Sequence, residues 1–167
     1  MSERSADTAA AIDLFAHADA ADEVIAVMHR AFAEYTAKGE MSGAMLETAE
    51  TLRAELAAGV RIGMLRTGGC LAATVKHAPK DDGTLYFSRL AVEPESRGRG
   101  LAGDLVRALR AQAHTDGLSG LSCAVRADEA GNIAIYEHVG MQITRRETRV
   151  SRTGATLAVV VMADVAG

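Results

Sequence analysis

The chain has 167 residues, of which 49% are hydrophobic, and its formal net charge is −4 at pH 7. This length suits one domain with a substantial core, so we treat residues 1–167 as a single domain whose first ten residues form a polar tail. The acidic balance argues against nucleic-acid binding, and no segment approaches the roughly 18 apolar residues of a membrane span. Since the N-terminus also lacks a signal-peptide pattern, we expect a cytoplasmic protein that binds no membrane.

The first third of the chain has helical patterns. A short strand over Ile12 to Phe15 is a candidate, and Asp19 or Asp22 would cap a helix that runs to about Thr36. Three- and four-residue spacing predicts one buried stripe on this helix, formed by Val24, Ile25, Met28, Ala31, Phe32 and Tyr35. A second helix is predicted over Met45 to Ala58, with its inward face formed by Leu46, Ala49, Leu52 and Leu56.

Short apolar runs separated by turn residues then predict strands. Val60 to Leu65 and Leu71 to Lys76 form a hairpin around Thr67-Gly68-Gly69, and Thr84 to Val92 forms a central strand that ends before Pro94. The later predicted elements are a helix from Gly100 to about Asp116, a strand over Leu121 to Val125, a short helix ending at His138, and strands over Gln142 to Val150 and Leu157 to Ala163. This order predicts an α/β fold (α+β), with a mixed central sheet of about 6–7 strands flanked by about four helices on both faces.

Cysteine and histidine usage gives no sign of a disulfide framework or a metal site. Cys70 and Cys123 lie in apolar, strand-like contexts, so both are predicted to be reduced thiols in the core. The five histidines show no paired ligand spacing, and no metal is predicted.

The stretch from Arg97 to Ala102 is the most informative for chemistry. It lies between a predicted strand and an amphipathic helix, so backbone N–H groups face outward at the positive end of the helix dipole and favour phosphate. A solvated glycine turn is an equal alternative if the loop is considered alone. Gly98, Gly100 and Gly103 also spell the dinucleotide fingerprint, but the loop from Pro94 to Arg97 and the arginine at 126 do not fit a Rossmann unit.

Two motifs together resemble the GNAT superfamily of N-acetyltransferases. Arg97-Gly98-Arg99-Gly100-Leu101-Ala102 fits the family pattern [Q/R]-x-x-G-x-[G/A], and Tyr136-Glu137-His138-Val139-Gly140-Met141 is similar to its Tyr-Glu-x-x-Gly-Phe segment. The resemblance implies transfer of an acetyl group from acetyl-CoA to a primary amine of a small molecule or peptide, by direct attack in a ternary complex. Homodimers are common among such proteins.

The resemblance also implies roles for individual residues. Tyr136 would donate a proton to the leaving thiolate, and an N–H of the central strand would steady the oxyanion. The implied cofactor contacts are the backbone of Leu90, Ala91 and Val92 for the pantetheine arm, the segment Arg97, Gly98, Arg99, Gly100, Leu101 and Ala102 for the pyrophosphate, and Asn132.

One feature of the family is missing. Where some members carry a glutamate base, this chain has Tyr86, and the base is left open among Glu93, Asp128 and a histidine acting through water. A domain that binds acyl-CoA without turnover, as a sensor, is therefore the alternative to an enzyme.

Overall fold

The computed structural model describes residues 10–37, 42–151 and 154–165. Its seven strands are β1 (Ala10–Asp13), β2 (Arg61–Thr67), β3 (Cys70–Pro79), β4 (Leu85–Val92), β5 (Leu121–Arg126), β6 (Met141–Val150) and β7 (Thr156–Asp164). Its four α-helices are α1 (Ala21–Ala37), α2 (Ala49–Ala57), α3 (Leu101–Thr115) and α4 (Ala130–His138). The predicted mixed sheet and its order of elements are confirmed.

All seven described strands form one sheet in the order β1-β2-β3-β4-β5-β7-β6. Each neighbouring pair is antiparallel except β4 and β5, which are parallel. The hairpin of β2 and β3 closes through Gly68 and Gly69, whose φ angles of 55° and 81° suit a two-residue turn between twisted strands. A sheet with a single parallel pair is not doubly wound, which agrees with the expectation that Gly98, Gly100 and Gly103 do not belong to a Rossmann unit.

Two clusters of buried side chains cover opposite faces of this sheet. On one face α1 and α2 pack through Val24, Met28 and Leu52 against β2 and the start of β3. On the other face α3 and α4 pack through Leu105 and Tyr136 against β3, β4, β5 and β7. The helices therefore flank the sheet on both sides, as the strand and helix periods predict.

The buried stripe of α1 is largely confirmed, whereas the second helix differs from the prediction. Val24, Ile25, Met28 and Ala31 are buried, and the side chain of Tyr35 lies outside the described residues. Residues 43–46 form a 3-10 turn, and α2 begins only after Thr48, whose capping box with Thr51 sets the helix start. Leu46 therefore precedes the helix and is 44% exposed, so its predicted inward position is wrong.

The two cysteines have different environments. Cys123 on β5 is buried, as predicted, and burial raises the pKa of its thiol to about 12. Cys70 is exposed, because it is the first residue of β3 and lies directly beside the glycine turn. Its predicted place in the core is wrong.

Candidate active site

The parallel strands β4 and β5 diverge shortly after they meet. They pair through Leu85 with Leu121 and Tyr86 with Ser122, and no later pair is formed although β4 continues to Val92. One edge of β4 beyond Tyr86 therefore faces open space inside the sheet. Backbone N–H and C=O groups on such an edge need partners, and an extended ligand can supply them.

Glycines line the start of α3 at the mouth of this opening. Gly98 and Gly100 have φ angles of 80° and 75°, and a Cβ built on either residue would meet no atom within 4 Å. The first described helical hydrogen bond of α3 runs from the N–H of Asp104 to the Gly100 carbonyl at 3.1 Å. The amides of residues 101–103 therefore have no carbonyl in the preceding turn, and they form a cradle that suits phosphate.

A cavity of about 900 Å³ connects the strand edge with this cradle. Nine of the ten predicted cofactor residues line it, namely Leu90, Ala91, Val92, Arg97, Gly98, Gly100, Leu101, Ala102 and Asn132, and Arg99 is not among its lining residues. These residues lie far apart in the sequence. The divergence of β4 and β5 leaves one space that β4, α3 and α4 surround, and the residues meet there.

Tyr136 lies in the wall of the same cavity, on α4. Its side chain is only 6% exposed, and its ring packs edge-on against Phe87 of β4 with 5.4 Å between the ring centroids. Phe87 is itself buried in the core, so the tyrosine ring has a rigid support. The structure thus places the predicted proton donor beside the open edge of β4.

A family model described as the acetyltransferase (GNAT) family matches residues 25–141, which is more than half of the chain. The chain belongs to this family. The match includes the first helix from residue 25 onward, the glycine cradle and the Tyr136 segment. Members of this family are acetyltransferases, and acetyl-CoA is the cofactor of GNAT enzymes.

Relatives with known names or structures agree with this assignment. Mycothiol acetyltransferase of Brachybacterium faecium is 25% identical over 150 residues, which cover 85% of this chain and 44% of the relative, so the chain spans less than half of that protein. The structure of yncA from Salmonella typhimurium with acetyl-CoA has a TM-score of 0.72 at 17% identity, covering 93% of this chain and 92% of that one. The ribosomal-protein-S18-alanine N-acetyltransferase of Escherichia coli also has a TM-score of 0.72, at 21% identity and coverages of 95% and 97%.

Arg97 has a different surrounding from the one that its place in the GNAT motif suggests. Its guanidinium donates to the Ala31 carbonyl at 3.1 Å and to Glu34 at 3.3 Å, both on α1. The Arg97 side chain therefore joins the loop before α3 to the first helix.

Of the residues considered as the base, His138 at the end of α4 is the one that lines the cavity. Glu93 forms an ion pair with Arg30, Asp128 is largely exposed beside Arg126, and the ring of His29 bonds through Nε2 to the Glu47 carbonyl at 2.8 Å. Tyr86, at the position of the glutamate found in some GNAT members, stacks with Lys80. The general base stays unassigned.

A buried charge cluster beside the cavity was not anticipated from the sequence. The carboxylate of Glu47, with 0% exposure, contacts Lys76 of β3 and accepts from Nε of Arg89 on β4 at 2.7 Å. Lys76 also reaches Glu55 of α2 at 2.8 Å. Arg89 lines the cavity, so this cluster connects the region between α1 and α2 with the strand that borders it.

Among the described helices, none is long and apolar enough to cross a membrane.

Proposed function

We propose that this GNAT domain transfers the acetyl group of acetyl-CoA to a primary amine of a small molecule or peptide, in a ternary complex. The observation that carries the proposal is the joint lining of one cavity by the unpaired edge of β4, the glycine cradle of α3 and Tyr136. Each of these three features supplies a distinct part of the reaction.

Binding of the cofactor would use backbone groups. The open positions in front of Gly98 and Gly100 leave room for a pyrophosphate next to the free amides of α3, where the helix dipole adds favourable charge. The edge of β4 at Leu90 to Val92 would bind the extended pantetheine arm as a further strand would. Bound in this way, acetyl-CoA supplies an activated acyl group.

Tyr136 would complete the transfer. The acceptor amine would form a bond to the acetyl carbonyl carbon while the carbon–sulfur bond breaks, and the phenol would donate its proton to the departing sulfur. The nitrogen would release one proton to solvent as the amide forms, and the phenolate would regain a proton from solvent. The wall around Tyr136 is largely apolar, and a hydroxyl donor stabilises a developing thiolate more strongly there than in water. The amine must lose its own proton before attack, because an alkylammonium has a pKa near 10.

The test combines calorimetric binding of acetyl-CoA with release of free thiol in the presence of amines. The amine panel includes polyamines, aminoglycosides, amino acids and peptides with an N-terminal alanine. We expect acetyl-CoA to bind the wild type, and we expect Tyr136→Phe to lower kcat about 100-fold without changing the Kd for acetyl-CoA.

The two measurements separate the alternatives. An unchanged kcat in Tyr136→Phe would show that this tyrosine is not the proton donor. Tight binding with no thiol release from any amine would instead favour a non-catalytic sensor of acyl-CoA, and failure of the wild type to bind acetyl-CoA would remove the proposal altogether.

A further inference from the structure

Strand β4 changes its alternation of inward and outward side chains at Arg89. Leu85 and Phe87 face the core under α3, two residues apart, but the next residues that pack against this core are Leu90 and Val92. Pairing with β3 shows the cause, since Ser88 lies opposite Lys76 and Ala91 opposite Thr74, so β4 has one residue more than its partner. This extra residue is a β-bulge.

The bulge keeps a charged side chain out of the apolar core. In an uninterrupted strand Arg89 would face the same side as Leu85 and Phe87, because side chains alternate with a period of two. Instead its backbone has a φ of 52°, a left-handed conformation that is unfavourable for an arginine. The side chain is turned to the opposite face, where its Nε donates to Glu47.

We propose that Glu47 is a positioning residue for the cofactor strand, because its carboxylate holds Arg89 in the left-handed conformation and so fixes the bulge that presents Leu90 to Val92 to the cavity. The inference rests on the proposed function, since it concerns the strand that would bind acetyl-CoA. It adds a residue that lies outside both GNAT motifs and outside the cavity lining.

Both the backbone and the side chain of Glu47 are held by contacts with other elements. Its backbone carbonyl is held by His29 of α1, and its carboxylate lies between Lys76 of β3 and Arg89 of β4. The segment between α1 and α2 is thereby joined to two neighbouring strands at one residue. A buried carboxylate with two hydrogen-bonded cations is costly to disturb from either side.

The charges of the cluster balance. Glu47 and Glu55 supply two negative charges, and Lys76 and Arg89 two positive ones. Burial would raise the pKa of Glu47, but hydrogen bonds and charge from Lys76 and Arg89 lower it below its ordinary value overall, so the carboxylate is ionised at neutral pH. Neutralising Glu47 would remove the carboxylate that pairs with Arg89 and would leave Lys76 with Glu55.

The first test compares two carboxylates of the same cluster. Glu47→Gln removes the charge that binds Arg89, whereas Glu55→Gln removes a charge that contacts Lys76 and not Arg89. We expect Glu47→Gln to weaken acetyl-CoA binding about tenfold by calorimetry, while Glu55→Gln retains the wild-type Kd. Melting temperatures measured in parallel separate a change in binding from a general loss of stability.

The second test isolates the backbone conformation at position 89. Arg89→Ala and Arg89→Gly both remove the side chain, but only glycine adopts a positive φ without penalty. We expect Arg89→Ala to bind acetyl-CoA about fivefold more weakly than Arg89→Gly. The double variant Glu47→Gln with Arg89→Gly removes one negative and one positive charge, so it should fold and recover most of the affinity that Glu47→Gln loses.

The outcomes distinguish the inference from the function on which it rests. Equal affinities of Arg89→Ala and Arg89→Gly, or no recovery in the double variant, would overturn the positioning role while the wild type still binds acetyl-CoA. Should Glu47→Gln not fold, the double variant and the pair at position 89 decide the matter alone. Absence of binding by the wild type would overturn the proposed function and this inference together.

Discussion

Replacing Gly100 by alanine separates the cost of a strained backbone from the loss of a phosphate cradle. Gly100 has a φ of 75°, and a Cβ there meets no atom within 4 Å, so the methyl group clashes with nothing in the protein. The left-handed conformation costs an L-residue about 1–2 kcal/mol, and the less flexible unfolded chain offsets about 0.4–1 kcal/mol of this. We expect a net loss of about 1 kcal/mol, which lowers the Tm by about 2–4 °C for a chain of this length.

Gly117 is a matched control at the other end of the same helix. Its φ is 74°, and a Cβ there also meets nothing within 4 Å, so Gly117→Ala should cost the same stability. It does not line the cavity. Only Gly100→Ala should weaken acetyl-CoA binding, by at least tenfold, because its methyl group occupies the space in front of the α3 amides.

Thermal unfolding with and without acetyl-CoA, followed by calorimetric titration, measures both quantities. Similar Tm losses for the two variants with a selective loss of affinity at Gly100 would agree with the cradle. Equal Kd values for Gly100→Ala, Gly117→Ala and the wild type would refute the reasoning, because the open space before Gly100 would then not belong to the ligand.

Three further predictions concern the rest of the molecule. Burial lowers the pKa of His77, so the folded state favours the neutral ring. The stability that this preference gives above about pH 6.5 should be lost as the pH falls. Denaturant titrations at several pH values should therefore show a smaller dependence of stability on pH for His77→Gln than for the wild type. In the native protein a maleimide should label one thiol, Cys70, whereas Cys123 should react only after denaturation. Mass spectrometry reads the labelling, and modification of both thiols in the native state would contradict the burial of Cys123. Asp164→Asn should lower the free energy of unfolding by about 2 kcal/mol, because the carboxylate of Asp164 accepts two hydrogen bonds from Arg110 at 3.0 and 2.6 Å. A loss below about 0.5 kcal/mol in chemical denaturation would show that solvent screens this pair.

Local patterns in the sequence were enough to predict the elements of the fold. Apolar residues recur with one period in the helices and another in the strands. Glycines at 68, 69, 117 and 140 mark turns, which the structure confirms with positive φ angles. The two GNAT motifs likewise predicted that the Arg97 loop and Tyr136 belong to one site, and the structure places both around one cavity. In each case the information lies within a few neighbouring residues.

Features that depend on distant parts of the chain were missed. The burial of Glu47 requires Lys76 and Arg89, which are 29 and 42 residues away, and no local pattern indicates that they meet. Leu46 was placed on a helix because its spacing fits, although the capping box at Thr48 starts the helix later. In β4 the residues that pack under α3 change from odd to even numbers between Phe87 and Leu90, but the apolar Ala91 hides this change in the sequence.

The divergence of β4 and β5 also bears on aggregation through this strand edge. A strand edge with unpaired backbone groups normally invites a strand from another molecule and leads to aggregation. Here that edge lies inside the sheet, with α3 and Tyr136 of α4 around it, so another strand has no flat surface on which to dock. A narrow, linear ligand, such as the pantetheine arm in the proposed function, can still enter and pair with this edge.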